Sequence, residues 1–136
     1  MHSVSAVDAQ ELRARVRQFA IRVVKYVQTL PPTAGAQEIG GQLLRAGTGV
    51  SANYRAAGRA RSRKEFIARL GVVLEEADAA EHWLDILKQS RIGYGSEQDW
   101  LLDEAHPHIL TCPASVKRDA AKQVEVGQHL PGAEHD

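Results

Sequence analysis

The chain has 136 residues, 43% of them hydrophobic and 25% charged, with 17 basic and 17 acidic side chains and no formal net charge. That length suits one domain with a real core and is too short for two, and a single cysteine, Cys112, excludes an internal disulfide and suits a reducing compartment. No stretch approaches the roughly 20 apolar residues that span a bilayer, and the start of the chain has neither a basic nor a long apolar run, so the expectation is a soluble cytoplasmic protein with no membrane contact.

The first predicted helix runs from about Asp8 to Thr29. Leu12, Val16, Phe19, Val23, Tyr26 and Leu30 recur at alternating steps of four and three, which puts them on one face that must be buried. Asp8 is a candidate N-cap with Glu11 three positions on, and Pro31-Pro32 forbid continuation. Pro31 to Gly35 reads as a loop. The second helix then runs from near Ala36 to about Arg59, with Ile39, Leu43, Ala46, Val50, Asn53 and Ala57 as its seam. Its glycines, among them Gly40, Gly41, Gly47 and Gly49, each cost about 1 kcal/mol of helix propensity relative to alanine. A helix that keeps them gains from close approach, and the row Leu44, Gly47, Ser51, Tyr54, Gly58 is where a neighbouring backbone would lie.

Ser62 and Glu65 form a capping box that opens a third helix extending to about Ser90. Its seam is Phe66, Leu70, Val73, Ala77, Ala80, Leu84 and Leu87. Gly93 and Gly95 make a turn, and Ser96 is the expected cap of a fourth helix. Leu102, Ala105, Ile109, Cys112 and Val116 keep the rhythm there, but Pro107 and Pro113 interrupt it. The pattern predicts an all-α, up-down-up-down antiparallel four-helix bundle, its fourth helix kinked or shortened by Pro107 and Pro113. Residues 1–123 form the single domain and 124–136 a disordered tail without an apolar face.

Charge is segregated along this frame. Between Arg45 and Arg69 seven basic residues face one acid, Glu65; between Glu75 and Glu104 nine acids face Lys88 and Arg91. Such asymmetry attracts a polyanion, joins one subunit's basic end to another's acidic end, or serves as complementary packing inside one bundle. Arg55, Arg59, Arg61, Arg63 and Lys64 cluster around the second turn and are the candidate nucleic-acid-binding residues, since phosphate contacts from such side chains carry sequence-independent affinity. Aromatic platforms for stacking are sparse beside them: Tyr54 is near, and Phe66 reads as core.

Asn53 interrupts a seam where an apolar residue is expected. A polar residue there reads as a structural tie that fixes register or assembly, with Glu76 as a partner on the facing helix and Asp78, Arg45 or Arg55 as alternatives. His106, His108 and Cys112 have metal-ligand chemistry but match no standard spacing, so no metal site is expected. Glu-x-x-His pairs, a P-loop, a nucleophile elbow and a dinucleotide fingerprint are all missing, which argues against an enzyme and against a cofactor. Ile21, Val24, Ile67, Trp83 and Ile86 fall off the seams as second apolar stripes, an argument for a homo-oligomer.

The run from Gln42 to Ala57, then Arg59 to Phe66, Leu70 to Asp78 and Trp83-Leu84, resembles the signature of the 23S rRNA intervening-sequence proteins. It is also similar to the accessory variability proteins of diversity-generating retroelements. The resemblance spans about residues 12 to 105 and is most specific from 42 to 87. It implies a four-helix bundle assembled as a homopentamer, without demonstrated enzyme activity. The retroelement branch further implies contact with a reverse transcriptase and with RNA or DNA through a basic surface. The family pattern has an acid two positions after the tyrosine, where this chain has Ala56. These readings converge on a non-enzymatic, self-assembling scaffold or adaptor; the alternative is a structural protein–protein interaction module without nucleic-acid affinity.

Overall fold

A computed structural model describes residues 6–106, with side chains from residue 10 onward. Four helices follow in chain order: α1 (Ala6–Gln28), α2 (Ala34–Ala57), α3 (Arg63–Gln89) and α4 (Ser96–Ala105). Among the described residues there is no strand. Each helix packs on its neighbours in sequence, and α1 closes against α4. The result is an all-α four-helix bundle. Pro107, Pro113, His108, Cys112 and the 124–136 tail lie outside the described residues; α4 stops at Ala105, short of the first of those prolines.

The seams fill the core. Val16, Phe19 and Val23 from α1 meet Leu43 and Val50 from α2, Val73, Leu84 and Leu87 from α3, and Leu101 from α4, all at 1% exposure or less. One expectation fails at the start of α3: Phe66 is half-exposed and Ile67, at 4%, is buried in its stead. The contiguous core begins on α3 at Val73, so the first turn lies beyond it and seam spacing does not decide burial there.

Local chemistry sets the helix ends. Thr33 caps α2 by accepting the Ala36 amide at 3.3 Å. Ser62 caps α3, its hydroxyl accepting the Glu65 amide at 3.0 Å, while the Glu65 carboxylate reaches past the cap to accept the Arg61 amide at 3.1 Å. Two other caps differ from expectation. The first helix begins at Ala6, ahead of Asp8. Gly95, not Ser96, sits at the N-cap of α4, and no side chain caps that end.

Close approach is real at particular glycines. A Cβ on Gly47 would lie 2.9 Å from both methyls of Val23, and one on Gly40 would lie 3.0 Å from Leu30. Gly41 and Gly71 have open space instead. Gly93 is more constrained still. With φ of 69° it occupies the left-handed region, and a Cβ there would collide with the Tyr26 phenol. That phenol donates to the Gly93 carbonyl at 3.0 Å and accepts from Gln98 Nε2 at 2.9 Å. Gln98, wholly buried, also donates to the Ile92 carbonyl at 2.8 Å. Burial raises the Tyr26 pKa, and the Gln98 bond opposes that shift. The phenol therefore ties α1 to the α3–α4 turn.

Two bidentate pairs hold α4 to α1. Arg15 donates to both oxygens of Glu104 at 3.0 and 2.8 Å. Arg22 donates to both oxygens of Glu97 at 2.9 and 2.6 Å, and its guanidinium stacks 3.5 Å from the Trp100 ring centroid. Fork-on-carboxylate geometry and cation–π stacking both favour arginine over lysine here. Each arginine has its pKa raised, chiefly by the hydrogen bond to its carboxylate.

Gly47→Ala is expected to lower stability by roughly 1 to 3 kcal/mol, because Val23 cannot yield without moving the helix. Gly41→Ala should raise it by about 0.5 to 1 kcal/mol. Urea midpoints measure both, and equal shifts would remove close packing as the reason for the glycines.

The Arg22 hydrogen bond holds the Glu97 carboxyl below the ordinary glutamate range, against an opposing effect of burial. A carboxyl depressed in the folded state stabilises above its unfolded pKa, and that contribution disappears as pH falls through its folded pKa. Glu97 is 40% exposed, so solvent screening keeps the contribution below about 1 kcal/mol. Glu97→Gln should therefore lower stability near neutral pH and flatten its loss on acidification. Parallel urea-midpoint profiles for wild type and variant would contradict this.

Candidate nucleic-acid interface

The α2–α3 turn gathers the basic run at one end of the bundle. Arg55 lies in the last turn of α2, Arg59 follows the Gly58 cap, Arg61 precedes the Ser62 cap, and Arg63 and Lys64 open α3. All five are exposed. The capping that ends one helix and starts the next keeps the connection short, so all five side chains crowd within a turn of it. Arg63 and Lys64 add their charge to the positive end of the α3 dipole, raising the local potential towards an anion.

Little nearby acid offsets this charge. Arg61 pairs with Glu65 at 3.7 Å on a side chain 91% exposed, a contact that contributes little in water. Among the described residues Arg55, Arg59 and Lys64 make no hydrogen bond or ion pair. The half-exposed Phe66 lies one turn from Ser62 and donates its amide to the Ser62 carbonyl at 3.0 Å. The most exposed large aromatic, Tyr94 at 82%, is at the other end of α3, where it lines a cleft of about 510 Å³ with Lys88, Gln89 and Arg91. Phosphate contact therefore dominates what the basic turn can offer, with stacking a minor part.

Asn53 and Glu76 are on adjoining helices but do not bond to each other. Asn53 is half-buried, not sealed in the core; it donates to the Gly49 carbonyl of its own helix at 2.9 Å and accepts from Arg69 at 3.4 Å. Glu76 lies against the Cα of Gly49, its carboxylate carbon 2.9 Å from where a Cβ would stand. The tie across α2 and α3 thus runs from Asn53 to Arg69, a partner the seam spacing did not indicate. Arg69 stands sixteen residues from Asn53 in sequence, with the α2–α3 turn between them. Of the metal-type residues, His106 caps the end of α4. Among the described residues no group of three His, Cys, Asp or Glu side chains is placed to hold a metal ion.

A second feature escaped the sequence. Between α1 and α2 runs a groove of about 420 Å³, with Ile21 and Val24 half-exposed in it and Arg17 and Arg55 at its rim. Ile21 and Val24 were legible as off-seam apolar positions. Arg17 was not, because its relation to Arg55 exists only once the two helices are antiparallel.

Family models give no match to this chain, and neither do curated protein sequences. A solved structure does. A crystal structure of a protein with unknown function from the S23 ribosomal protein family of Bacteroides thetaiotaomicron superposes with a TM-score of 0.61 at 27% sequence identity. The match covers 74% of this chain and 95% of that one. The likeness therefore extends over nearly the whole of the other bundle. Among the described residues no helix is long and apolar enough to cross a membrane.

Asn53→Leu is expected to leave the bundle folded and to change stability by no more than about 1 kcal/mol, because one lost bond is within the helix and the other is long and half-exposed. A double-mutant cycle with Arg69→Ala should give a coupling near about 0.5 kcal/mol. Coupling above about 2 kcal/mol would make the pair a core tie after all.

Proposed function

We propose that this protein is a non-enzymatic, self-assembling helical-bundle adaptor that binds RNA or DNA, alone or in a ribonucleoprotein, through the basic α2–α3 turn. One observation carries the reading: five exposed cations crowd a single turn, and the Arg61–Glu65 ion pair there is a weak one. A ribosomal family name on the similar Bacteroides structure supports RNA as the polyanion. We further propose that the chain is a member of the 23S rRNA intervening-sequence proteins, on the residue pattern from Gln42 to Leu84. Repetition of the turn around an oligomer, a pentamer by the same resemblance, converts modest single-site contacts into useful avidity. A reverse transcriptase is the protein partner expected if the retroelement branch is the right one.

Fluorescence anisotropy with matched RNA and DNA oligonucleotides tests this at several salt concentrations. Wild type should bind at low salt, with affinity falling steeply as salt rises. Replacing Arg59, Arg61, Arg63 and Lys64 together by alanine should weaken binding at least about tenfold and reduce the log–log salt slope by up to about 3. A flat curve for both oligonucleotides at low salt overturns the reading. The protein-only module would then remain, with these cations serving contacts between copies.

A further inference from the structure

Two separate faces of the bundle present half-exposed apolar side chains beside charge of opposite sign. The first is the α1–α2 groove. Ile21 and Val24 stand half-exposed there next to Ala52. Val23 lies against Gly47, so the antiparallel register brings Arg17, six residues before Val23, and Arg55, eight after Gly47, to the same end of the groove. Among the described residues neither arginine has a hydrogen-bond or ion-pair partner.

The second face is the outer side of α3. Val72 and Ile86 stand half-exposed there, seven residues either side of Ala79, which is half-exposed too but packs partly against the core. Glu75 and Asp78 are exposed alongside them, and among the described residues neither has a partner. Asp85, by contrast, accepts from Gln89 at 3.3 Å. The free acids are thus at the N-terminal part of the stripe, with the largest apolar residue, Ile86, about two turns further on.

We propose that the α1–α2 groove receives the outer face of α3 from a second copy of this chain, with Glu75 and Asp78 against Arg17 and Arg55, and Ile86 against Ile21 and Val24. The fit is in both chemistry and length. At ~1.5 Å per residue, the step from Arg17 to Val24 and the step from Asp78 to Ile86 each cover roughly 11 Å. A nucleic acid is the weaker occupant, because Ile21 and Val24 offer a polyanion nothing and two cations are few. The chain as a whole has no net charge, as suits a molecule whose plus and minus faces meet in its own copies.

Groove and stripe are different surfaces, so each copy offers both and the contact is head-to-tail. Such contacts close into a ring when the rotation per subunit divides a full turn, and otherwise run on as a filament. This inference rests on the self-assembly in the reading above and names its surfaces. It also withdraws Arg55 from the nucleic-acid set, leaving Arg59, Arg61, Arg63 and Lys64 at the exposed turn.

Light scattering coupled to gel filtration tests this on the full chain, with circular dichroism as the control for folding. Wild type should be a multimer. Arg17→Glu with Arg55→Glu should weaken association by more than about a hundredfold, and Glu75→Arg with Asp78→Arg should do the same, since each juxtaposes like charges. An equimolar mixture of the two folded variants should associate again as alternating copies, because the acidic groove of one then meets the basic α3 of the other; a ring with an odd number of copies cannot close this way, so the mass need not return to the wild-type value. A monomeric wild type, or folded variants that keep the wild-type mass, overturns the proposal, and so does a mixture that stays monomeric. The alanine variant of Arg59, Arg61, Arg63 and Lys64 separates this outcome from the adaptor reading, since it keeps both proposed contact surfaces and should hold the wild-type mass whether or not oligonucleotide binding is lost.

Discussion

The distance between two packed helices is set by whatever stands between them, and at Gly47 almost nothing does. Val23 fills the space that any larger residue would take, which draws α1 and α2 together along the middle of their length. A close pair leaves a shallow groove on its outer side, and the residues that edge it come from both helices. The rim arginines, the half-exposed isoleucine and the small Ala52 are neighbours only because of that approach. A bulkier residue at position 47 would push the rims apart, and with them the spacing on which any docking depends.

Burial and charge divide the work of holding the bundle. Helices α1, α2 and α3 are long, and their seams are sealed by aliphatic side chains and Phe19. The ten-residue α4 is too short to persist alone. It brings Leu101 and Ala105 to the core and is otherwise held to α1 by the arginine forks and by the buried Gln98–Tyr26 hydrogen bond. Acids on α4 are therefore consumed within the molecule, whereas Glu75 and Asp78 on α3 are not. The fold thus separates acids paired within the molecule from acids left exposed on α3.

The seams were legible because burial repeats with the helix period, and spacing alone reports it. Three kinds of feature were not. Position 66 belongs to the seam by count but lies beyond the contiguous core, where the period loses its meaning. Asn53 reads as an interruption of the seam, yet its amide turns to its own helix and to Arg69, which only a rotamer can decide. The forks join residues eighty-nine and seventy-five apart in sequence, and no local pattern marks such pairs. The basic turn was visible as a run of arginines; the groove was visible only as two stray apolar residues, because its other wall belongs to a different helix.

The phenol of Tyr26 has a wider consequence. It bonds from α1 to the backbone of the α3–α4 turn, as Gln98 does from α4, with its oxygen seated where a side chain on Gly93 would have to go. In the folded bundle the shape of the turn, and through it the direction of α4, therefore depend on α1 being packed in place. The geometry of the last quarter of the described structure thus leans on a residue of the first helix, far from it in sequence.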